Sequence, residues 1–326
     1  MDARPVTIIG GGPAGSAAAL AALEEGASVT VYEKSRFPRH KVCGEFLSPE
    51  ILSIFESLNM AQAFVAARPA FLRTAVLHIG GREKRFRLPE PAYSLSRFAL
   101  DGLLLEEAVR RGAELRIEAI KTPDAPSNAT VIAHGRQKPA PKGERLFGFK
   151  AHFRGAVDEA VEMFFFGGCY AGVSPVEDGA VNVCGLAPED LLHTSDFQPE
   201  ALFPESLRER LHPLERSFDW LISGPLVFHD EFRNHAAAYL AGDAMGFVDP
   251  FTGSGILSAL STGKLAGQSA ARGISVASYN AECRRILRRQ YSVASMIRGA
   301  LGAGFAEGLA RWIPGPVLYR LTRPAL

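Results

Sequence analysis

The sequence predicts an α/β fold in which a parallel sheet flanked by helices is interleaved with an antiparallel sheet and followed by C-terminal helices. Three observations carry this expectation. A strand, a glycine turn, an alanine-rich helix and a second strand fill the segment from Pro5 to Ser35; the middle of the chain runs through strands with no helix between them; and a second apolar strand after Ala236 leads into a long helix of small residues. Strand-helix alternation signals parallel pairing, whereas consecutive strands signal antiparallel pairing.

With 326 residues, 47% of them hydrophobic and 22% charged, the chain can bury a large core as one big domain or two interleaved ones. Its 36 basic against 35 acidic side chains argue against a nucleic-acid partner, whose phosphates call for a basic face. Cys43, Cys169, Cys184 and Cys283 form neither a CxxC pair nor a cluster with histidine, so a disulfide framework and a zinc site are not expected. A reducing cytoplasm is the expected location. The first strand starts within about five residues of Met1, which leaves no room for a cleaved export signal. No apolar run reaches the roughly 18 to 20 residues of a spanning helix; Ile297 to Pro314 comes nearest but contains Arg298, Glu307 and Arg311. From Val276 to Leu326, arginines 284, 285, 288, 289, 298, 311, 320 and 323 face only Glu282 and Glu307. Two readings stand: solvated helix faces docked on the core, or a basic amphipathic surface in peripheral contact with an anionic membrane.

In "PVTIIGGGPAGSAAALAALEEGASVTVYEKS" the strands are expected at Val6 to Ile9 and Ser28 to Tyr32, with Gly10, Gly12 and Gly15 as GxGxxG at the strand-to-helix junction. This is a Rossmann-like unit. Gly10 permits the tight turn, Gly12 lets backbone approach a pyrophosphate, and Gly15 lets helix and strand pack closely. The helix start offers free N–H groups to phosphates. Glu33 closes the second strand where a carboxylate accepts from ribose hydroxyls, and it opposes a 2′-phosphate. The nucleotide is therefore FAD or NAD. Near the other end, an apolar strand ends at Gly242-Asp243, and a Pro/Gly loop with Pro250, Gly253 and Gly255 opens a helix whose backbone N–H groups point ahead. Gly255, Ala259, Gly263 and Gly267 let that helix lie close to a neighbour.

GGGPAG with Glu33, "SLSRFALD" (Ser94 to Asp101) and "GDAMGFVDPFTGSGI" together resemble the geranylgeranyl reductase-like FAD-dependent oxidoreductases, within the p-hydroxybenzoate hydroxylase-type superfamily that includes flavin monooxygenases and halogenases. The likeness runs to about Gly273. It implies a glutathione-reductase-type FAD-binding domain of residues 1–70, 98–150 and 230–275, a substrate-binding sheet domain of 71–97 and 151–229, and a C-terminal helical segment, 276–326. It further implies that Gly10, Gly12, Pro13, Ala14 and Gly15 hold the pyrophosphate and Glu33 with Lys34 the adenosine ribose. Arg97 would lie along the cofactor, or instead pair with Asp101. Gly242 and Asp243 would meet the ribityl or pyrophosphate region, and Pro250, Gly253, Gly255 and Ile256 the flavin pyrimidine, where a helix N-terminus stabilises negative charge.

"FLRTAVLHIGGREKRFRL" reads as a hairpin around Gly80-Gly81, and Ala160 to Leu186 as one longer hairpin around Asp178-Gly179. The resemblance makes this sheet the roof over the flavin. "YAGVSP" stands where archaeal geranylgeranyl reductases carry YxWxFP: Tyr170 and Pro175 fit, while Gly172 and Ser174 replace two aromatics and free volume in a substrate pocket unless Phe164, Phe165 and Phe166 refill it. His134-Gly135-Arg136 replaces the Asp-Gly of the aromatic hydroxylases. Trp220 and Trp312 lie outside any WxWxIP context, which sets halogenation low.

"HKVCGEFLSP" (His40 to Pro49) matches the CGxxLSP loop that in these relatives passes beside the flavin. Gly44 would approach the ring, Arg39 and Lys41 the pyrophosphate, and Ser48-Pro49 would cap the next helix. Cys43 is either a proton donor, its pKa lowered by basic neighbours, or a small filler against the cofactor. The expected activity is hydride transfer through flavin N5 on a lipophilic or aromatic small molecule, with NAD(P)H as a transient reductant or a separate electron donor. A flavin monooxygenase acting on a phenolic or polyketide-type substrate is the alternative; a halogenase and a non-catalytic flavin-binding protein rank lower.

Overall fold

The computed structural model describes residues 4–121, 129–136, 145–226, 232–246 and 253–287. Its first half comprises β1 (Pro5–Ile9), α1 (Pro13–Glu24), β2 (Ser28–Glu33), β3 (Phe46–Leu47), α2 (Ile51–Ser57), α3 (Ala61–Ala66), β4 (Ala70–Ile79), β5 (Arg82–Ser94), α4 (Arg97–Arg110), β6 (Glu114–Ile117) and β7 (Ala129–Ile132). There follow β8 (Leu146–Arg154), β9 (Ala160–Phe166), β10 (Cys169–Pro175), β11 (Ala180–Pro188), α5 (Glu189–Thr194), α6 (Glu205–Leu211), β12 (Glu215–Arg216), β13 (Leu221–Leu226), β14 (Tyr239–Leu240) and α7 (Gly255–Arg272), and residues 276–287 are also helical.

Five strands pair in parallel in the order β14-β7-β1-β2-β6, with β1 central and its Ile8 and Ile9 buried. Both α1 and α7 carry a fully buried apolar stripe, and they meet at a separation that only glycine allows. A Cβ on Gly263 would lie 2.1 Å from the Ala14 carbonyl oxygen, and one on Gly267 2.1 Å from that of Ala18. The small-residue spacing of α7 thus serves helix-helix packing at these two positions.

Nine strands form the second sheet, β12-β8-β11-β10-β9-β4-β5-β3 with β13 also on β8. It is mixed rather than purely antiparallel as expected, because β4 and β9 run parallel, Thr74 to His78 against Ala160 to Phe164. The segment Ala160 to Leu186 is a three-stranded meander, not one long hairpin. Gly167 and Gly168 both have positive φ (50° and 78°) and make a two-residue turn between β9 and β10. The sheet also claims residues on the far side of the expected domain borders: β8 begins at Leu146, and β3 crosses over to pair with β5. One apolar cluster fills the space between the parallel sheet and its helices, and a second, built around Phe149, Phe153, Phe164 and Phe203, backs the mixed sheet.

Candidate active site

At Gly10 in the turn after β1, and at Gly15 in the helix that follows, there is no room for a side chain. Gly10 sits at φ 104°, and a Cβ there would lie 2.5 Å from the Ala133 carbonyl oxygen; a Cβ on Gly15 would lie 1.7 Å from the Gly10 carbonyl oxygen. Gly12 differs, since a Cβ there would meet only Arg97 Nη2, at 3.9 Å, and its open face looks into a cavity. Glu33, buried at the end of β2, accepts from the backbone N–H of Gly11 (2.8 Å) and of Ser35 (2.9 Å), and lies 3.7 Å from Arg39. Two acceptor sites on its carboxylate remain for a ligand's hydroxyl groups.

That cavity, of about 540 Å³, runs without interruption from the β1 turn to the face of the mixed sheet. Gly10, Gly12, Pro13, Ala14, Glu33, Lys34, Lys41, Cys43, Gly44 and Arg97 line it, as do Gly242, Asp243, Gly253, Gly255 and Ile256, and so do Tyr170, Gly172 and Ser174 from β10. Gly15 is behind the wall, packed on Gly10. Pro250 lies outside the described residues, as does the chain beyond residue 287 and with it most of the basic tail.

Electrostatics divide the lining. Arg97 opens α4 beneath the N-cap Ser96, whose Oγ accepts from Ala99 N–H (3.0 Å). Its guanidinium holds Asp101 through two bonds (2.5 and 2.7 Å), and both partners are inside, so the cavity position and the ion pair coexist. Desolvation, helped by the charges of Arg39 and Arg97, brings the Lys41 ammonium down to about 8 at the cavity rim. Burial pushes the Asp243 carboxyl up, against the opposing charges of Arg136, Arg97 and Lys41. Cys43 corrects the expectation from its basic neighbours: burial pushes the thiol up, and Arg97 does not overcome it, so Sγ keeps its proton at neutral pH. Ser48 does not cap the next helix through its side chain; among the described residues its Oγ is without a partner, and its carbonyl accepts from Ile51 N–H (2.9 Å).

Beside Cys43 stands a group that sequence reasoning missed. Glu45, fully buried with φ 56°, is bonded by the Lys150 ammonium, by His152 Nε2 (2.8 Å) and by Arg97 N–H (2.5 Å). Burial opposes its charge, but the His152 hydrogen bond and the charge of Lys150 hold the carboxyl below the usual carboxylate range. Lys150 and His152 alternate on β8 within "FGFKAHF", and two polar residues on one face of an apolar strand were the available signal. Nor do Phe164, Phe165 and Phe166 refill the space beside Gly172. Met163 does, its Sδ 3.3 Å from where a Gly172 Cβ would be.

A family model described as tryptophan halogenase matches residues 5–89. A menaquinone reductase of Mycolicibacterium smegmatis is 32% identical over 32% of this chain, and the match spans 25% of that relative's length. A digeranylgeranylglycerophospholipid reductase of Methanosarcina acetivorans is 26% identical, covering 84% of this chain and 76% of its own. The solved flavin-dependent brominase Bmp2 shares the fold, with a TM-score of 0.77 at 20% identity over 97% of this chain and 92% of its own. In sequence and in fold the chain is similar to members of the FAD-dependent oxidoreductase superfamily. It has a cradle that fits the cofactor: Gly12 and Gly255 leave backbone exposed where a Cβ would intrude, and Glu33 keeps acceptors free. Among the described residues no helix is long and apolar enough to cross a membrane, and no cluster suits a metal ion.

Proposed function

We propose that the chain uses FAD to exchange a hydride, at flavin N5, with a lipophilic or aromatic small molecule held under the mixed sheet. The observation that carries this reading is the single cavity shared by the nucleotide turn and the sheet face. When bound, FAD supplies the two-electron chemistry. Gly10, Gly12, Pro13 and Ala14 would receive the pyrophosphate at the start of α1, and Glu33 with Lys34 the adenosine ribose. Arg97, Gly242 and Asp243 would flank the ribityl region, while Gly253, Gly255 and Ile256 at the start of α7 direct backbone N–H groups toward negative charge. Lys41 and Gly44 would border the cofactor from the Cys43 loop. Tyr170, Gly172 and Ser174 would cover the substrate, and Cys43 would hold a proton at Sγ for the substrate carbon that does not take the hydride. Electrons would come from visiting NAD(P)H or from a separate donor protein.

Oxygen-dependent chemistry, hydroxylation or halogenation, is the second reading, and the match of residues 5–89 to the tryptophan halogenase model favours it beyond what the sequence motifs alone did. Against halogenation, halogenases of this superfamily carry a lysine beside the tunnel for hypohalous acid, whereas among the described residues the lining lysines, Lys34 and Lys41, are on the nucleotide side and the part under the sheet is lined by Ala75, Leu77, Phe86, Val161 and Met163 with the polar Ser174 and Asn182. Product mass after turnover with reduced flavin separates the readings. A gain of two hydrogens without oxygen supports hydride transfer; a gain of oxygen or halogen, with oxygen consumed, overturns it.

A further inference from the structure

The roof of the cavity changes character along its length. Pairing register places Asn182 of β11 opposite Ser174 of β10 and opposite His152 of β8, and Cys184 opposite Gly172 and Lys150. Continuing outward, Met163 faces Gly172 and Leu77 faces Met163, while Val161 faces Ala75 and Ala75 faces Phe86. One end of the roof is polar and the other is apolar.

At the polar end Asn182 lines the cavity yet is 1% exposed. Its Nδ2 donates to the Cys43 carbonyl at 3.1 Å. A carbonyl only accepts, so this bond decides which way the amide is turned. Oδ1 is left as an acceptor, and among the described residues it has no hydrogen-bond partner. Native structures rarely leave such an atom unmatched, and one at a binding surface is suited to a ligand donor. Ser174, 4% exposed on the adjoining strand, adds a second polar group at the same place.

We propose that Asn182 determines specificity by accepting a hydrogen bond from a hydroxyl of the substrate, whose apolar body lies toward Met163, Val161, Leu77 and Phe86. The substrate class is an amphipathic phenol or alcohol. A molecule presenting only carbonyl or ether oxygens at that end leaves Oδ1 without a donor and binds more weakly. This rests on the FAD reading above and goes beyond it by naming the substrate's polar group and its direction in the cavity. The flavin carries N–H groups of its own; Asn182 belongs to the mixed sheet, and the titration below separates a substrate donor from a flavin donor.

Calorimetric titration of the FAD-loaded full chain with para-hexylphenol and with its methyl ether compares ligands of the same body with and without the donor. The phenol is expected to bind about tenfold more tightly. In Asn182→Leu the two should bind alike, with FAD affinity retained. Equal binding, or absent binding, of both probes to the unaltered chain overturns the proposal, whether or not the variant folds. If Asn182→Leu instead weakens FAD itself about tenfold, the donor is the flavin and the proposal also falls. A chain that takes up no FAD at all is a different failure, that of the reading beneath it.

Discussion

The two walls of the cavity are built on opposite principles. On the nucleotide side, glycines are required because backbone meets backbone: Gly15 and Gly10 touch where no Cβ fits, and Gly263 and Gly267 bring α7 against α1. On the sheet side, the lining comes mostly from side chains of β4, β5, β9, β10 and β11, with Gly185 of β11 the exception, where a Cβ would lie 2.1 Å from the Tyr170 carbonyl oxygen. The first wall is fixed mainly by backbone contacts around one turn; the second is set mainly by side chains from distant segments. Four substitutions sharpen or break that contrast, in falling order of effect.

Gly15→Val places a side chain into the Gly10 carbonyl, 1.7 Å from where even a Cβ would sit, and backbone cannot yield there. No soluble folded protein is expected; a variant with unchanged thermal unfolding would break the account of this wall.

Glu45→Ala removes the only carboxylate among the groups it joins, leaving Lys150 and His152 buried without their partner. A loss of about 3–5 kcal/mol is expected from denaturant unfolding. The pH dependence follows in sign. The folded-state carboxyl is depressed, so its stabilisation is fully present above the unfolded carboxylate value and is lost as pH falls through the lower folded one. A wild-type stability that does not decline on acidification relative to the variant would contradict this.

Gly12→Ala separates binding from folding, because only Arg97 Nη2 is near the added methyl. Stability should change by less than about 0.5 kcal/mol, while FAD affinity drops about tenfold, near 1.4 kcal/mol. Flavin fluorescence quenching measures the second, and an unaltered dissociation constant would move the pyrophosphate away from this turn.

Gly172→Ala is the mildest. Its neighbour is the Met163 sulfur at 3.3 Å, the end of a flexible side chain that can swing aside. Melting should shift by the equivalent of less than about 1 kcal/mol. A collapse comparable to Gly15→Val would erase the distinction between the walls.

The same contrast explains what could be read from the sequence. Gly10, Gly12, Gly15 and Glu33 lie in one strand-turn-helix-strand unit, so spacing alone specifies their geometry, and the parallel pairing of β1 with β2 follows from it. Glu45 is more than 100 positions from both Lys150 and His152 and meets them only because β8 lies beside β11 and the Cys43 loop packs against that pair of strands. No local pattern announces such a meeting. The parallel β4–β9 pair was hidden for the same reason, since a hairpin signal reports on neighbours in sequence and Thr74 pairs with Ala160. The Gly167-Gly168 pair is a legible two-residue hairpin signal, and a single hairpin from Ala160 to Leu186 leaves it out of account.

The central claim is that one cavity joins an FAD cradle to a substrate roof, and its most direct test is an FAD titration of the purified full chain followed by flavin fluorescence. Saturable one-to-one binding, weakened by Gly12→Ala but not by Gly172→Ala, is the predicted result. A colourless chain that takes up no FAD, or one whose FAD affinity responds to Gly172→Ala and ignores Gly12→Ala, would contradict it.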